Sequence, residues 1–461
     1  MRLNQIAKAK LRGMWLWLNR TPASAFAFRL VVMTLGIYVA SFVHLLNAVG
    51  LDDWLERLQL EQMDYSVNTA PPDGLRLIYI DEKDTLANVP GDFTDEGTRQ
   101  LWRREHAKLL RALGNAPRLV AFDFNFPEPN DKAENRQADS EFGKAIREAR
   151  MRVLVGAELN ENSLPQLADS VKPAEWGLTQ IGGFRLEHGQ SRALVRRYVL
   201  AKSQFPAGSA VGRQPAIPSL AVKMLQTHLS RPVAEPTSVE LDPGKRELIL
   251  LSGSTELKRI FCDIELERQS PERPSPHLLA TIPLHFPRVP DFNEEKYAQV
   301  LQRLSRAATD YKDKTILIGA RINKEVAPSE GGELVMLSLK PEERSAYGYQ
   351  VHASVFSDLF QDSYPRRLSA VWQIFILLLL GLVSGVGRTR LPSSDIEVDT
   401  KIIGKRKFPI GLLILLGVYA ALVWVFYRSA FIVFDVGYGA LVVVTAYYLC
   451  GSVLIGHSKL H

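Results

Sequence analysis

The sequence predicts an α/β extracytoplasmic domain with a mostly parallel sheet, flanked by four transmembrane α-helices, one before it and three after. Three observations carry this. Apolar residues pile up near both ends of the 461-residue chain in runs of membrane length, while the middle has the composition of a water-soluble domain. Lysine and arginine are spread unevenly around those runs. From Leu75 onward, short apolar runs alternate with amphipathic ones.

Residues 1–29 form a basic arm, with Arg2, Lys8, Lys10, Arg12, Arg20 and Arg29 and no acidic residue. Such an arm suits an anionic membrane face. The apolar run that follows makes the lipid bilayer its expected partner, and no nucleic-acid partner is expected. Four runs then approach the ~20 residues that cross ~30 Å of hydrocarbon: 30–49, 368–386, 408–427 and 431–456. The first has a second reading as a cleaved signal peptide. Its long basic flank and the lack of a small-x-small site favour an uncleaved anchor.

The loop 387–407 holds Arg388, Arg390, Lys401, Lys405, Arg406 and Lys407. Placing the N-terminus, this loop and the tail 457–461 in the cytoplasm satisfies the positive-inside rule and puts 50–367 outside. Arg366 and Arg367 oppose that assignment and are outnumbered. Asp435 lies within the last run; its carboxylate either reaches interfacial water or couples a signal between helices.

Within the middle, strands are expected at 75–80, 118–124, 152–159 and 314–320, and helices at 103–114, 140–150, 218–229, 296–306 and 349–360. Strand–helix alternation with near-continuous apolar strands argues for a parallel sheet covered on both faces. The stretch 238–250 reads as a hairpin turning at Asp242-Pro243-Gly244. Cys262 and Cys450 are the only cysteines, so neither a disulfide nor a thiolate metal site is expected.

Phosphate loops, dinucleotide fingerprints, His-Glu-x-x-His and Gly-x-Ser-x-Gly elbows are missing from the sequence, so no catalytic residue, metal or cofactor is expected. Ligands of open parallel sheets gather at the carboxyl ends of strands. Asp81 follows the first strand, Asp123 ends the second, and Arg104 and His106 open the helix between them. These four residues admit a structural Asp/Arg/His network, a polar-ligand site or a metal site. The pair of arginines in "VRRY" (195–198) and His352 are weaker signals, each ordinarily a solvated face or a core histidine.

Taken in order, these pieces resemble a known family, the sensory extracellular domain associated with cyclases and histidine kinases (CHASE), second type. The resemblance rests on "IYIDEKD", "RREHAKLLRAL", "RLVAFDFNFPEP", "DSEFGKAI", "VRRYVLA", "IPSLAVKML", "IPLHFP", "KTILIGA" and "GYQVHASVFSDLF", and on one apolar run before and three after. The proline of a Trp-Pro-Trp-like segment is missing beside Trp102, and the Asp and Thr-Pro usual after the "LIGA" strand are absent.

The resemblance implies an integral membrane sensor subunit of the bacterial inner membrane, often dimeric, whose outer domain perceives a stimulus. Receptors of this kind carry an output domain after the last helix. Here five residues follow, so output is expected through a separate cytoplasmic or membrane protein. The alternative is a structural anchor for an effector complex, and a periplasmic enzyme or transporter accessory ranks behind both.

Overall fold

The computed structural model describes residues 22–42, 72–81, 96–159, 164–179, 197–207, 212–230, 236–267, 277–284, 292–304, 308–321, 334–336, 345–368, 370–391, 395–400, 404–430, 432–433 and 436–450. The chain divides into two compact units, residues 64–366 and residues 1–63 with 367–461. The principal elements are α1 (Pro22–Phe42), β1 (Leu75–Asp81), α2 (Glu96–Leu113), β2 (Leu119–Asn125), α3 (Ala133–Glu148), β3 (Arg152–Ala157), β4 (Glu175–Leu178), β5 (Arg197–Pro206) and β6 (Gln214–Pro218). They continue with α4 (Leu220–Leu229), β7 (Thr237–Asp242), β8 (Glu247–Ser252), β9 (Thr255–Phe261), β10 (Asp263–Leu266), β11 (His277–Pro283), β12 (Glu294–Lys296), α5 (Tyr297–Leu304) and β13 (Thr315–Arg321). The last are α6 (Gly348–Gln361), α7 (Ala370–Arg390), α8 (Ile410–Ala430) and α9 (Val436–Thr445).

The middle unit is built on an all-parallel sheet in the order β12-β1-β13-β2-β3-β4. Strand alternation sorts its apolar residues into two cores. Ile78, Ile80, Val120, Phe122, Ile316 and Ile318 face α2, α3 and α5, where Trp102, Leu109, Phe142 and Tyr297 meet them. Leu75, Leu77, Leu119, Ala121 and Leu317 face the other way, toward α4, α6 and the inner side of a second sheet. Because both faces are covered, these strands read as continuous apolar runs, and every strand and helix expected from the sequence in this unit is present.

The second sheet corrects the expectation of one mostly parallel sheet. It is antiparallel, in the order β10-β11-β5-β6-β7-β8-β9, and larger than the first. Its strands hide their character because polar residues sit at buried positions: Lys202, Ser203, Gln214 and Thr281. Lys202 is tolerated there by an ion pair with Glu267 at 2.7 Å. The expected hairpin is β7–β8, closed between Asp242 and Glu247. Asp242 Oδ1 accepts from the Lys245 N–H at 3.1 Å, and Arg246 takes the left-handed conformation (φ 56°). The turn is therefore wider than Asp242-Pro243-Gly244.

In the other unit, Val371–Arg390 and Ile410–Ala430 are long and apolar enough to cross a membrane, and Ala23–Val39 and Val436–Leu449 are shorter apolar helices. Compared with the expected run 30–49, α1 starts earlier. α9 ends in a π-helical turn, Ala446–Cys450. Phe26 and Leu30 of α1 pack on Ala446 and Leu378, and Ile37 packs on Tyr438 and Val442. Close approach is enforced at two glycines. A Cβ on Gly381 would strike Leu30, and one on Gly439 would lie 2.5 Å from Tyr419 Cζ. Asp435, the arm up to residue 21 and the tail 457–461 lie outside the described residues.

Candidate functional site

The four residues singled out in the sequence do not meet. Asp81 shares its face of β1 with Leu75 and Leu77, the side turned to α6, and stands in register with Arg321 of β13. Asp123 also points to the α6 side, through the contacts described below. His106 and Arg104 belong to α2, which packs on the opposite face. The sheet itself separates the two acids from the histidine.

His106 is closed in by rings. Its centroid lies 5.0 Å from Phe122, 5.7 Å from Phe124 and 5.8 Å from Phe142, and Nδ1 is 2.9 Å from the Tyr297 hydroxyl. Burial, reinforced by the nearby Arg103 charge, lowers its pKa to about 3, so the imidazole is neutral at pH 7. Arg104 is half-exposed and reaches Glu141 at 3.4 Å. The buried arginine is its neighbour Arg103, turned about 100° around the helix. Arg103 pairs with Asp139, donates to the Pro127 carbonyl at 2.5 Å and lies 5.6 Å over the Phe126 ring. A structural Asp/Arg network therefore exists, from Arg103 and Asp139.

Asp123 sits at an irregularity in β2. Pairing with β3 passes from Phe122–Val155 to Asn125–Gly156, so two residues are bulged out. Phe124 turns toward His106, while Asp123 turns the other way and places Oδ1 3.3 Å from His352 Nε2 on α6. Nε2 makes no aligned hydrogen bond, so the acid and the imidazole are close polar neighbours. On its other side His352 Nδ1 lies 2.6 Å from the Tyr198 hydroxyl of β5. Asp123, His352 and Tyr198 are all buried. The Tyr198 hydroxyl is placed to donate to Nδ1. Desolvation raises the Tyr198 pKa, so the phenol stays protonated and able to donate.

One turn earlier on α6, Tyr349 presses on β13. A Cβ on Gly319 would collide with the Tyr349 side chain, which explains the glycine there. Beyond it Arg321 lies 3.6 Å over the Tyr79 ring, donates through Nε to the Tyr349 hydroxyl at 3.0 Å and pairs with Glu294 of β12. Glu294 also accepts from Gln350 Nε2 at 2.7 Å and from Tyr349 at 3.4 Å. Burial, opposed by Arg321, pushes the Tyr349 pKa up to about 12. This second cluster is partly open to solvent: the Arg321 and Glu294 side chains are 28% and 14% exposed.

The carboxyl edge of the parallel sheet thus carries two polar clusters on one helix, a buried acid–imidazole–phenol chain and a half-open arginine held among tyrosines. No group of three or more His, Cys, Asp and Glu side chains converges among the described residues. The chemistry on offer is recognition of polar groups and control of where α6 rests. A family model described as "CHASE2 domain" matches residues 30–386. The chain belongs to the CHASE2 family. CHASE2 domains are sensory extracellular domains, and the match takes in the whole middle unit together with the apolar run before it and the first apolar run after it. No curated protein and no solved structure matches the chain.

Sequence reading named Asp123 but not its partners. His352 and Tyr198 stand within two stretches that looked ordinary in isolation, "GYQVHASV" and "VRRY". The available signal was the shared face: a buried strand-end acid needs a partner, and the polar residues on the apolar stretches covering that face were the candidates. Arg321 and Glu294 carried no such signal.

Proposed function

We propose that this CHASE2 protein is an integral membrane sensor, anchored by four helices in a bacterial inner membrane with both termini and the loop 387–407 in the cytoplasm. Its outer α/β domain responds at the carboxyl edge of the parallel sheet, and output leaves through a separate cytoplasmic or membrane partner. One observation carries the reading. α6, which bears Tyr349, Gln350 and His352, is followed after residues 362–369 by the apolar helix α7. The element that touches the site is thus covalently the element that leads into the bundle.

The four-span reading is supported by large apolar side chains left exposed around the helices, among them Val39, Trp372, Phe375, Val418, Trp424 and Leu449. A stimulus acts by favouring one of two arrangements of α6, and only through its differential affinity for them. Full-length protein with cysteine pairs between α1 and α7, at positions 30 and 381, would be crosslinked in native membranes while candidate stimuli are varied. Stimulus-dependent yield supports sensing. Identical yield under every condition that changes partner output leaves the structural anchor as the better reading.

A further inference from the structure

Resting on the sensor reading, we infer that the cluster around Arg321 is a binding site for the carboxylate of a small organic acid, and that Glu294 occupies it as a resident substitute. The donors facing Glu294 are Arg321 Nη2, the Tyr349 hydroxyl and Gln350 Nε2, and both of its oxygens are engaged. A planar fork plus two neutral donors is the donor set that recognises a carboxylate.

None of the donors belongs to the strand that carries Glu294. Arg321 is on β13, and Tyr349 and Gln350 are on α6. The guanidinium is held in place independently, by the Tyr79 ring 3.6 Å beneath it and by Tyr349 at Nε. The receiving half of the site therefore persists when Glu294 leaves. Glu294 itself opens β12, a three-residue strand at the sheet edge whose ladder pairing is with β1 alone. Releasing it undoes a short edge pairing rather than a core strand. Arg321 is the last residue of β13, and the partial exposure of its pair with Glu294 gives access. An acid that takes the place of Glu294 frees β12 while keeping α6 fastened to β13, so binding changes what holds the helix.

The test uses the full chain in detergent, with sodium acetate and sodium succinate as probes and sodium chloride and inorganic phosphate at equal ionic strength as comparisons. Binding is read from the unfolding midpoint against probe concentration. Removing the resident carboxylate in Glu294→Ala is expected to tighten the apparent affinity for acetate at least tenfold over the parent chain, with no such change for chloride. The double variant Glu294→Ala/Arg321→Gln is expected to lose the response. Glu294→Gln keeps the shape of the side chain without its charge and is expected to show an intermediate gain, which preserves the test if the alanine variant does not fold. An unchanged acetate response in both Glu294 variants, or one that survives loss of Arg321, overturns the assignment, as does tighter phosphate than carboxylate binding. A null result here, with stimulus-dependent crosslinks at 30 and 381, removes the ligand class and keeps the sensor. Acid binding without any crosslink response does the opposite.

Discussion

The Asp123 carboxylate lies 3.3 Å from Nε2 of His352, and both side chains are shut away from solvent. Strand alternation points the acid toward α6, on the same face as Leu119 and Ala121, and the helix brings the imidazole to it. Removing one member of a buried polar contact leaves the other unsatisfied and costs about 1–3 kcal/mol. Because the contact lacks an aligned hydrogen bond, Asp123→Ala is expected at the lower end, about 1 kcal/mol, and Asp123→Asn at less. The double variant Asp123→Ala/His352→Ala should lose clearly less than the sum of the singles. Denaturant unfolding of the full chain, followed by tryptophan fluorescence, measures this. Strict additivity would show that the two groups are neighbours without being coupled.

His106 makes a prediction about acid. Its folded pKa is depressed to about 3 by burial, against about 6.5 in an unfolded chain. The folded state therefore resists a proton that the unfolded state accepts. The His106 contribution to stability is complete above pH 6.5 and is lost progressively as pH falls from there toward 3. Between pH 7 and pH 5 the loss is about 2 kcal/mol. His106→Phe, which suits the surrounding rings, should abolish that component, so the difference between variant and parent stability should shift in the variant's favour by about this amount as pH drops. Parallel pH dependences would contradict the buried neutral imidazole.

Much of this architecture could be read from residues because the parallel sheet is covered on both faces. Burial on two sides leaves apolar runs such as "LRLIYI" and "TILIGA" with nothing to confuse them, and the helices between them keep a clear apolar stripe. The antiparallel sheet was hidden for the converse reason. Lys202, Gln214 and Thr281 occupy buried positions, and their compatibility depends on partners such as Glu267 that are distant in sequence. The site divided in the same way. Asp81 and Asp123 were visible as strand-end acids, but which face each takes depends on register, and a bulge cannot be seen in the residues alone. Arg104 and His106 were adjacent to the right feature: the helix phase buries Arg103 and leaves Arg104 half-exposed.

Gly319 sets how closely α6 approaches the sheet. A methyl group there would lie 2.7 Å from Tyr349 Cδ1 and nearer still to Cβ and Cγ. The side chain cannot yield without moving the backbone of α6, which is buried from Gly348 through Leu359. Gly319→Ala is expected to cost about 1–3 kcal/mol, the usual range for overpacking. Its signature is local: hydrogen exchange should accelerate in 348–361 while α2 and α3, on the other face, keep their protection. Uniform acceleration across both faces would mean the glycine serves the whole fold rather than the seat of this helix.

In the helical unit the corresponding fastening is Arg388. The π-helical turn at Ala446–Cys450 departs from α-helical hydrogen bonding, and Arg388 of α7 donates to the carbonyls of Tyr447 and Tyr448 at 3.1 and 3.2 Å. The guanidinium also lies 5.4 Å from the ring centroids of both tyrosines. One helical turn below, Ser384 donates to the Val443 carbonyl at 2.5 Å, so α7 and the end of α9 are joined by side chain to backbone at successive turns. Hydrogen bonds from a charged donor contribute about 1.5–3 kcal/mol each, discounted here because Arg388 is partly exposed. Arg388→Leu is expected to destabilise the unit by about 1–2 kcal/mol, and Arg388→Lys, with a point charge and no fork, to recover part of it. Thermal unfolding in detergent reports the stability. A crosslink between cysteines at 384 and 443 reports whether the two helices separate. Full stability and crosslinking in Arg388→Leu would make the arginine a surface charge on a bundle held by apolar packing alone.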